Sequence, residues 1–389
     1  MKKIIAGYIA AFGLVVMLLG LNACSTASSK KALQPAALSG FSPQLNVRHV
    51  WSRTISKGTS SYYLRLEPVV VKQSVFIPAY DGEIIAVNQK GKRLWKKNYH
   101  WDFVTGLAAD NGLLFIGTRD GHVLAIQQSN GDVVWAITAT DQVLALPKAT
   151  DGVLLIHAID GTLTAYSQTD GKQLWQFSQQ APSLMLHLSS QPQVYDKKVI
   201  CGFADGKLAA LDFDQGRQLW LKQIAEPMGQ TDIERMVDIS TAPLIVDNTA
   251  YVVSYEGNLA AVNLKDGAIR WKRKLSAYNK IATDGVNLYA TDLNGDVWAF
   301  DLKTGMVVWR NQQFKLRQLS GVAVIKSLGV LAFGDYTGYI HFLSLSDGHI
   351  VARKRINITS VITTPIVSGD MLYAYTMSGR LTAYRVSKR

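Results

Sequence analysis

Seven histidines and two cysteines are the residues of this 389-residue chain best suited to bind a metal or to attack a substrate. The histidines stand at positions 49, 100, 122, 157, 187, 341 and 349, and no pair has the spacing of metal ligands on one element. There is no Gly-x-Ser-x-Gly nucleophile elbow and no phosphate-binding glycine loop. Carboxylates recur at Asp120-Gly121, Asp160-Gly161 and Asp205-Gly206, but a repeated Asp-Gly pair is the signature of a tight turn, where the aspartate serves the backbone. Cys201 sits in the apolar run Val199-Ile200-Cys201-Gly202, which predicts a small buried thiol. The sequence therefore predicts no catalytic residues, no metal and no cofactor. Cys24 is the exception, because of what precedes it.

Lys2 and Lys3 form a basic start, Ile4 to Leu21 is apolar, and the run ends in Leu21-Asn22-Ala23-Cys24. The run is nearly long enough to cross a bilayer, and a transmembrane anchor is the alternative reading. The Ser/Ala/Lys-rich stretch from Ser25 to Ser39 is no stop-transfer flank, so a cleaved signal is expected. Leu21 to Cys24 resembles a bacterial lipobox, from which Asn22 departs. That resemblance implies cleavage before Cys24 and lipidation of its thiol, and Ser25 rather than aspartate implies export to the outer membrane, facing the periplasm. Several acyl chains at roughly 0.8 kcal/mol per buried carbon would anchor the chain firmly. The expected division is a signal peptide at 1–23, a lipidated cysteine and flexible linker at 24–45, and a folded domain at 46–389. Once the signal is gone, a lone Cys201 can form no internal disulfide.

Apolar residues make up 48% of the chain and charged ones 18%, which suits a large buried core. The balance of 41 basic against 29 acidic residues, a net +12, fits nucleic acid, anionic lipid or an acidic partner. A periplasmic address argues against nucleic acid.

The elements that position all of these residues are legible in one repeated frame. It reads Asp120-Gly121, Ala125, Gly131, Trp135, and returns as Gly161, Ala165, Gly171, Trp175 and as Gly206, Ala210, Gly216, Trp220. Further copies are Gly82, Ala86, Gly91, Trp95; Gly257, Ala261, Gly267, Trp271; and Gly295, Ala299, Gly305, Trp309. The seventh copy has Gly338, Phe342, Gly348 and then Ala352 where tryptophan belongs, and the eighth has Gly379 and Ala383. Short apolar runs such as Leu113–Ile116 precede each first glycine and read as buried strands. Four antiparallel strands at a period of roughly forty residues predict an all-β, eight-bladed β-propeller. Trp51, Trp95, Trp135, Trp175, Trp220, Trp271 and Trp309 occupy one slot and are expected to dock neighbouring blades, with the alanine leaving room for the indole. Trp51 has no glycine frame before it, so the strand around Val47–Thr54 is expected to complete the last blade and close the ring. Basic runs such as Lys272-Arg273-Lys274 follow the tryptophan slot, where lysine protects an outer strand edge.

The connections after Trp175 and Trp220 are longer than the others, spanning roughly Ser178–Ser189 and Ile224–Ser240. Both return on the Asp-Gly side of the disc, and ordered long loops on a rigid scaffold carry function. The first holds Pro182-Ser183-Leu184-Met185-Leu186-His187-Leu188; the second holds Asp232, Glu234, Arg235 and Asp238. An apolar centre with a charged rim is the anatomy of a protein interface, the alternative being leucines that plug the propeller's funnel.

The Ala-x6-Gly-x3-Trp frame resembles the repeats of the quinoprotein (PQQ) propellers. The chain from lipobox to last blade is similar to the BamB family, lipoproteins of the outer-membrane β-barrel assembly (BAM) machine. The most specific motifs are Pro182-Ser183-Leu184-x-Leu186 and Gly229-Gln230-Thr231-Asp232-Ile233-Glu234-Arg235, followed by Asp238 and Thr241-Ala242-Pro243. The resemblance implies a non-enzymatic scaffold that binds the POTRA domains of BamA, sits among other BAM lipoproteins and meets unfolded β-barrel substrates. It implies partner contacts at Leu184, Leu186, His187, Arg235, Asp238 and Ser240, with Asp238 facing a basic group. His187 stands where the family has arginine and Ser240 where it has a second aspartate. The competing expectations are a PQQ-dependent dehydrogenase-like protein, which lacks here the adjacent cysteine pair of such alcohol dehydrogenases, and a carbohydrate-binding propeller.

Overall fold

The computed structural model describes residues 34–55, 57–59 and 64–389. The signal segment and Cys24 lie outside the described residues. Eight four-stranded antiparallel sheets form the blades. Blades 1 to 7 are simple meanders, beginning at Val69, Ala108, Lys148, Gln193, Leu244, Ala282 and Ala323. Blade 8 combines Ile366–Ser368, Met371–Tyr375 and Arg380–Lys388 with the strand Leu45–Thr54 from the other end of the folded domain. The expected closure is therefore present, with register running from Leu45 opposite Lys388 to Thr54 opposite Arg380.

The second and third strands of each blade are apolar on both faces and almost fully buried, as Leu114, Phe115 and Ile116 or Leu208, Ala209 and Ala210 illustrate. A strand sandwiched between two neighbouring blades has no solvent face, which is why these runs lack period-two alternation. The outer strands do alternate, and their exposed positions carry the basic residues.

The repeat frame has a sharper logic than its spacing predicts. The alanine and the tryptophan of one copy are cross-strand neighbours, as in Ala125 opposite Trp135. The indole reaches the next blade, where its Nε1–H donates to a backbone carbonyl at 2.7–3.3 Å, from Trp51 to Gln89 round to Trp309 to Leu345. The second glycine of that next blade lies on the ring. At Gly216, with φ +68°, an added Cβ would stand 2.4 Å from Trp175. Glycine is needed there for both the left-handed turn and the close approach. Tryptophan and glycine are thus partners across the blade seam, and the alanine provides clearance within the blade.

The N-terminal segment departs from expectation. A flexible linker is expected over residues 24–45, but the chain already follows the blades from Ala36. The Ala36 N–H donates to Lys315 O at 3.0 Å, and the Gln44 N–H to Val351 O at 2.9 Å. Arg317 and Arg353 donate to the carbonyls of Ala36 and Ser39 at 2.9 and 3.0 Å. Backbone donors and acceptors satisfied in this way convert a polar stretch that reads as a linker into an ordered strap.

Candidate functional site

Two connections leave the disc between strands Gln173–Ser178 and Gln193–Tyr195 and between Gln218–Gln223 and Leu244–Val246. They lie against each other. The Leu186 N–H donates to Asp238 Oδ1 at 2.9 Å, and Ser190 Oγ–H donates to Thr241 O at 2.7 Å. The second loop is tied to blade 4 by the Ile239 N–H on Phe203 O at 3.1 Å.

The glycine-led motif of that loop folds on itself. Glu234 Oε2 accepts the N–H groups of Gln230 and Thr231 at 2.9 and 3.1 Å, and the Glu234 N–H donates to Thr231 Oγ1 at 3.3 Å. This is the reciprocal bonding of a capping box, used here to stabilise a single turn. Gly229, at φ +131°, lets the chain pass so close that an added Cβ would lie 2.4 Å from the Glu234 Cβ. The backbone N–H groups of Thr231 and Gln230, with the Thr231 hydroxyl, hold the Glu234 carboxyl below its usual range. Thr231 and Glu234 are bonded to each other, and the motif is exposed throughout, Asp232, Ile233 and Arg235 included. Ile233 is 63% exposed and Met228 is 74% exposed.

On the first loop, Leu184 is 44% exposed. A groove of about 330 Å³ runs between the loops, lined by Pro182, Leu184, Pro227, Asp232, Arg235 and Met236. The two leucines of the first motif part here. Leu184 borders the groove, whereas Leu186 is half-buried and turns with Leu188, Leu144 and Leu319 into the central funnel, a cavity of about 710 Å³. His187 is exposed at the funnel wall.

Asp238 and Ser240 correct the expectation of a charged partner contact. Asp238 is 1% exposed and Ser240 2%. Asp238 instead holds the first loop through the Leu186 N–H, so in this structure it is a positioning residue. Its Oδ2 has no hydrogen-bond partner among the described residues, and the same is true of the Ser240 and Thr241 hydroxyls. Burial pushes the Asp238 carboxyl up to about 6, with the Leu186 N–H opposing. The sign follows directly. Between roughly pH 4 and 6 the unfolded chain gives up this proton and the folded chain keeps it, so the group lowers stability as pH rises through that window. Asp238→Asn retains an acceptor for Leu186 and removes the buried charge. It is expected to be more stable than the natural chain by about 2–3 kcal/mol at pH 7.5, a gain that disappears below about pH 4. Urea unfolding of both proteins at the two pH values measures this; an equal difference at both would exclude Asp238 as its origin.

Met228 and Ile233 were not among the expected contact residues. Their signal in the sequence is an apolar side chain inside a polar loop, which acquires meaning only when the capping turn shows which way it points. Cys201 is buried, and burial pushes its thiol up. The buried His157 beside it is 2.9 Å from Ser190 O and 3.4 Å from the sulfur. Among the described residues no three His, Cys, Asp or Glu side chains converge as a metal site.

Residues 80–311 match the family pattern described as "Outer membrane protein assembly factor BamB". The protein of that name from Pseudomonas aeruginosa is 33% identical, over 96% of this chain and 98% of the relative. The crystal structure of BamB from Moraxella catarrhalis superposes with a TM-score of 0.81 at 25% identity, covering 87% of this chain and 100% of that one. A quinohemoprotein alcohol dehydrogenase from Comamonas testosteroni superposes with a TM-score of 0.71 at 11% identity, covering 88% of this chain and 76% of that one, a likeness of fold alone. The relatives carry the name of an assembly factor rather than of a dehydrogenase, and the family pattern together with the identity over nearly the whole chain shows that this chain belongs to the BamB family of outer membrane protein assembly factors.

Proposed function

We propose that this protein is a non-catalytic scaffold held to the periplasmic side of the outer membrane through lipidated Cys24, and that its two blade 3–5 loops bind the POTRA domains of BamA. The observation that carries the reading is the groove between Leu184 and the Ile233–Arg235 turn. The groove sets the exposed Leu184 beside the charges of Asp232 and Arg235, and the second loop also exposes Met228 and Ile233. Exposed apolar side chains at the centre of a polar rim are where binding energy concentrates. Asp238 supports the site from beneath by holding Leu186, and Ser240 is part of the same buried support.

Leu184→Asp combined with Arg235→Glu is expected to reduce co-purification of BamA by at least about tenfold, the effect of losing roughly 1.4 kcal/mol or more at the contact. Both side chains are exposed, so the thermal unfolding midpoint is expected to stay where it is. Undiminished co-purification of BamA would remove the groove from the interface. Other BAM lipoproteins and unfolded β-barrel substrates are further partners of the same scaffold in this reading.

A further inference from the structure

One of the eight blade seams lacks its tryptophan. In blade 7 the cross-strand pair is Phe342 opposite Ala352, so the bulky ring sits on the inner strand and the outer slot holds a methyl group. The cause lies in the closure. An indole at this slot would need a glycine hairpin on the following blade, but the outer strand of blade 8 comes from the start of the domain and no hairpin joins it to Arg380–Lys388. The result is a notch of about 200 Å³ between blade 7 and the strap. Phe41, Pro43, Leu45, Val47 and Ala352 line it together with Asn46, and its rim carries Arg353, Lys354 and Arg389.

No aspartate or glutamate lines the notch. Lys354 and Arg389 are exposed and form no side-chain ion pair among the described residues. Arg353 lies over the Phe41 ring at 5.1 Å, and its buried Nη2 has no hydrogen-bond partner among the described residues. Apolar side chains beside the exposed cations Lys354 and Arg389, with the half-buried Arg353 behind them, match an anionic amphiphile, with phosphate at the rim and methylenes on the floor.

The strap identifies the source of that amphiphile. It is fastened to blades 6 and 7 from Ala36 onward by Arg317 and Arg353. Twelve residue steps separate Cys24 from Ala36, and covalent geometry limits their span to roughly 40 Å. A chain anchored at Cys24 therefore carries the region beside this notch to the bilayer at high effective concentration. We propose that the blade 7–8 seam binds the headgroup of an anionic phospholipid in the membrane that holds the anchor, and so fixes which edge of the disc faces the bilayer. This rests on the lipid-anchor reading above. Blade 8 stands four blades round the ring from blade 4, so lipid and protein partners can be held together at opposite edges.

The test uses the lipidated full-length protein in nanodiscs. Ser387→Cys, exposed beside the notch, and Asn130→Cys, exposed on blade 2, are each labelled with a fluorophore, the buried Cys201 being protected. Quenching by a headgroup-attached acceptor is compared in discs of phosphatidylcholine and of phosphatidylcholine with phosphatidylglycerol. The expected result is strong quenching at position 387 alone, only with phosphatidylglycerol, and abolished at ~1 M salt, where the Debye length is about 3 Å. Lys354→Glu with Arg389→Glu is expected to lower the close-to-remote ratio about tenfold without moving the thermal midpoint. Equal quenching at both positions, indifference to lipid charge, or full retention in the double variant would overturn the proposal. Capture of an acidic peptide at the notch without lipid proximity would overturn it as well, in favour of a protein partner. Intact mass reports the anchor separately: a chain without acyl groups refutes the anchor, whereas an acylated chain without quenching refutes the seam.

Discussion

A chain lacking Leu45–Thr54 is expected to lose its single cooperative unfolding transition. This strand supplies the outer edge of blade 8, paired along its length with Arg380–Lys388. It also supplies the seam between blade 8 and blade 1, because the Trp51 Nε1–H donates to Gln89 O at 2.7 Å and the indole covers Gly91. Its ring lies 6.0 Å from that of Tyr373, centroid to centroid. Removing a buried tryptophan alone costs about 3–5 kcal/mol, against a total stability of about 5–15 kcal/mol for a typical domain. Deleting the strand also exposes the ladder edge of Arg380–Lys388, which would then be free to pair with other chains. Urea titration followed by tryptophan fluorescence, with size-exclusion chromatography, checks this. A sharp transition at the natural midpoint from a monomeric species would show that closure does not hold the ring together. Trp51→Ala is expected to keep the transition and shift its midpoint down, which separates the seam from the ladder.

Asp335→Ala is expected to destabilise the protein by about 3–5 kcal/mol, the cost of leaving a buried cation without its partner. Asp335 is fully buried in blade 7. Its Oδ2 accepts from Arg317 Nε at 2.9 Å and Nη2 at 2.7 Å and from His341 Nε2 at 2.9 Å, while Oδ1 accepts the Thr337 and Tyr339 N–H groups at 2.8 and 3.1 Å. Arg353 Nε–H donates to His341 Nδ1 at 3.2 Å, which requires a lone pair there and makes the ring neutral with its proton on Nε2. Burial pushes the Asp335 carboxyl up, but the hydrogen bonds from His341, Tyr339 and Arg317 outweigh it and hold the group below the usual carboxylate range. Burial lowers His341, and Asp335 only partly opposes this. Both groups make the protein acid-sensitive. Below about pH 6.5 the unfolded chain takes up a histidine proton that the folded chain refuses, and the Asp335 contribution, complete above about pH 4, is lost as pH falls further. The same network fastens the strap, since Arg317 and Arg353 hold Ala36 and Ser39. Asp335→Ala should therefore also increase proteolysis within residues 36–44. Unfolding midpoints at pH 7 and pH 5, with limited proteolysis mapped by mass spectrometry, test both effects. A variant as stable as the natural chain would mean that the arginines find other partners.

Much of this molecule was legible from residue types alone. Glycine, alanine and tryptophan recur because each blade meets its neighbour with the same geometry, so the repeat, the blade count and the closing role of Trp51 could be read along the chain. The two long connections were visible as departures from that period. Within them, the sequence pointed to the right loops without resolving what each side chain does. Asp238 and Leu186 both look like surface residues in a polar loop, yet one is buried as the other's acceptor, because burial depends on where the neighbouring loop lies. Ile233 and Met228 become candidates only once Glu234 is seen to fold back onto Thr231.

By itself the sequence determined the all-β repeat architecture, the eightfold ring and its closure, since these follow from local turn chemistry and from a packing rule repeated at every seam. The tertiary structure alone decided which loop residues face outward, that residues 36–44 form a strap, and that Ala352 leaves a basic-rimmed notch. Each of these depends on segments distant in the chain supplying hydrogen bonds or excluding water at one place, information carried by no local pattern.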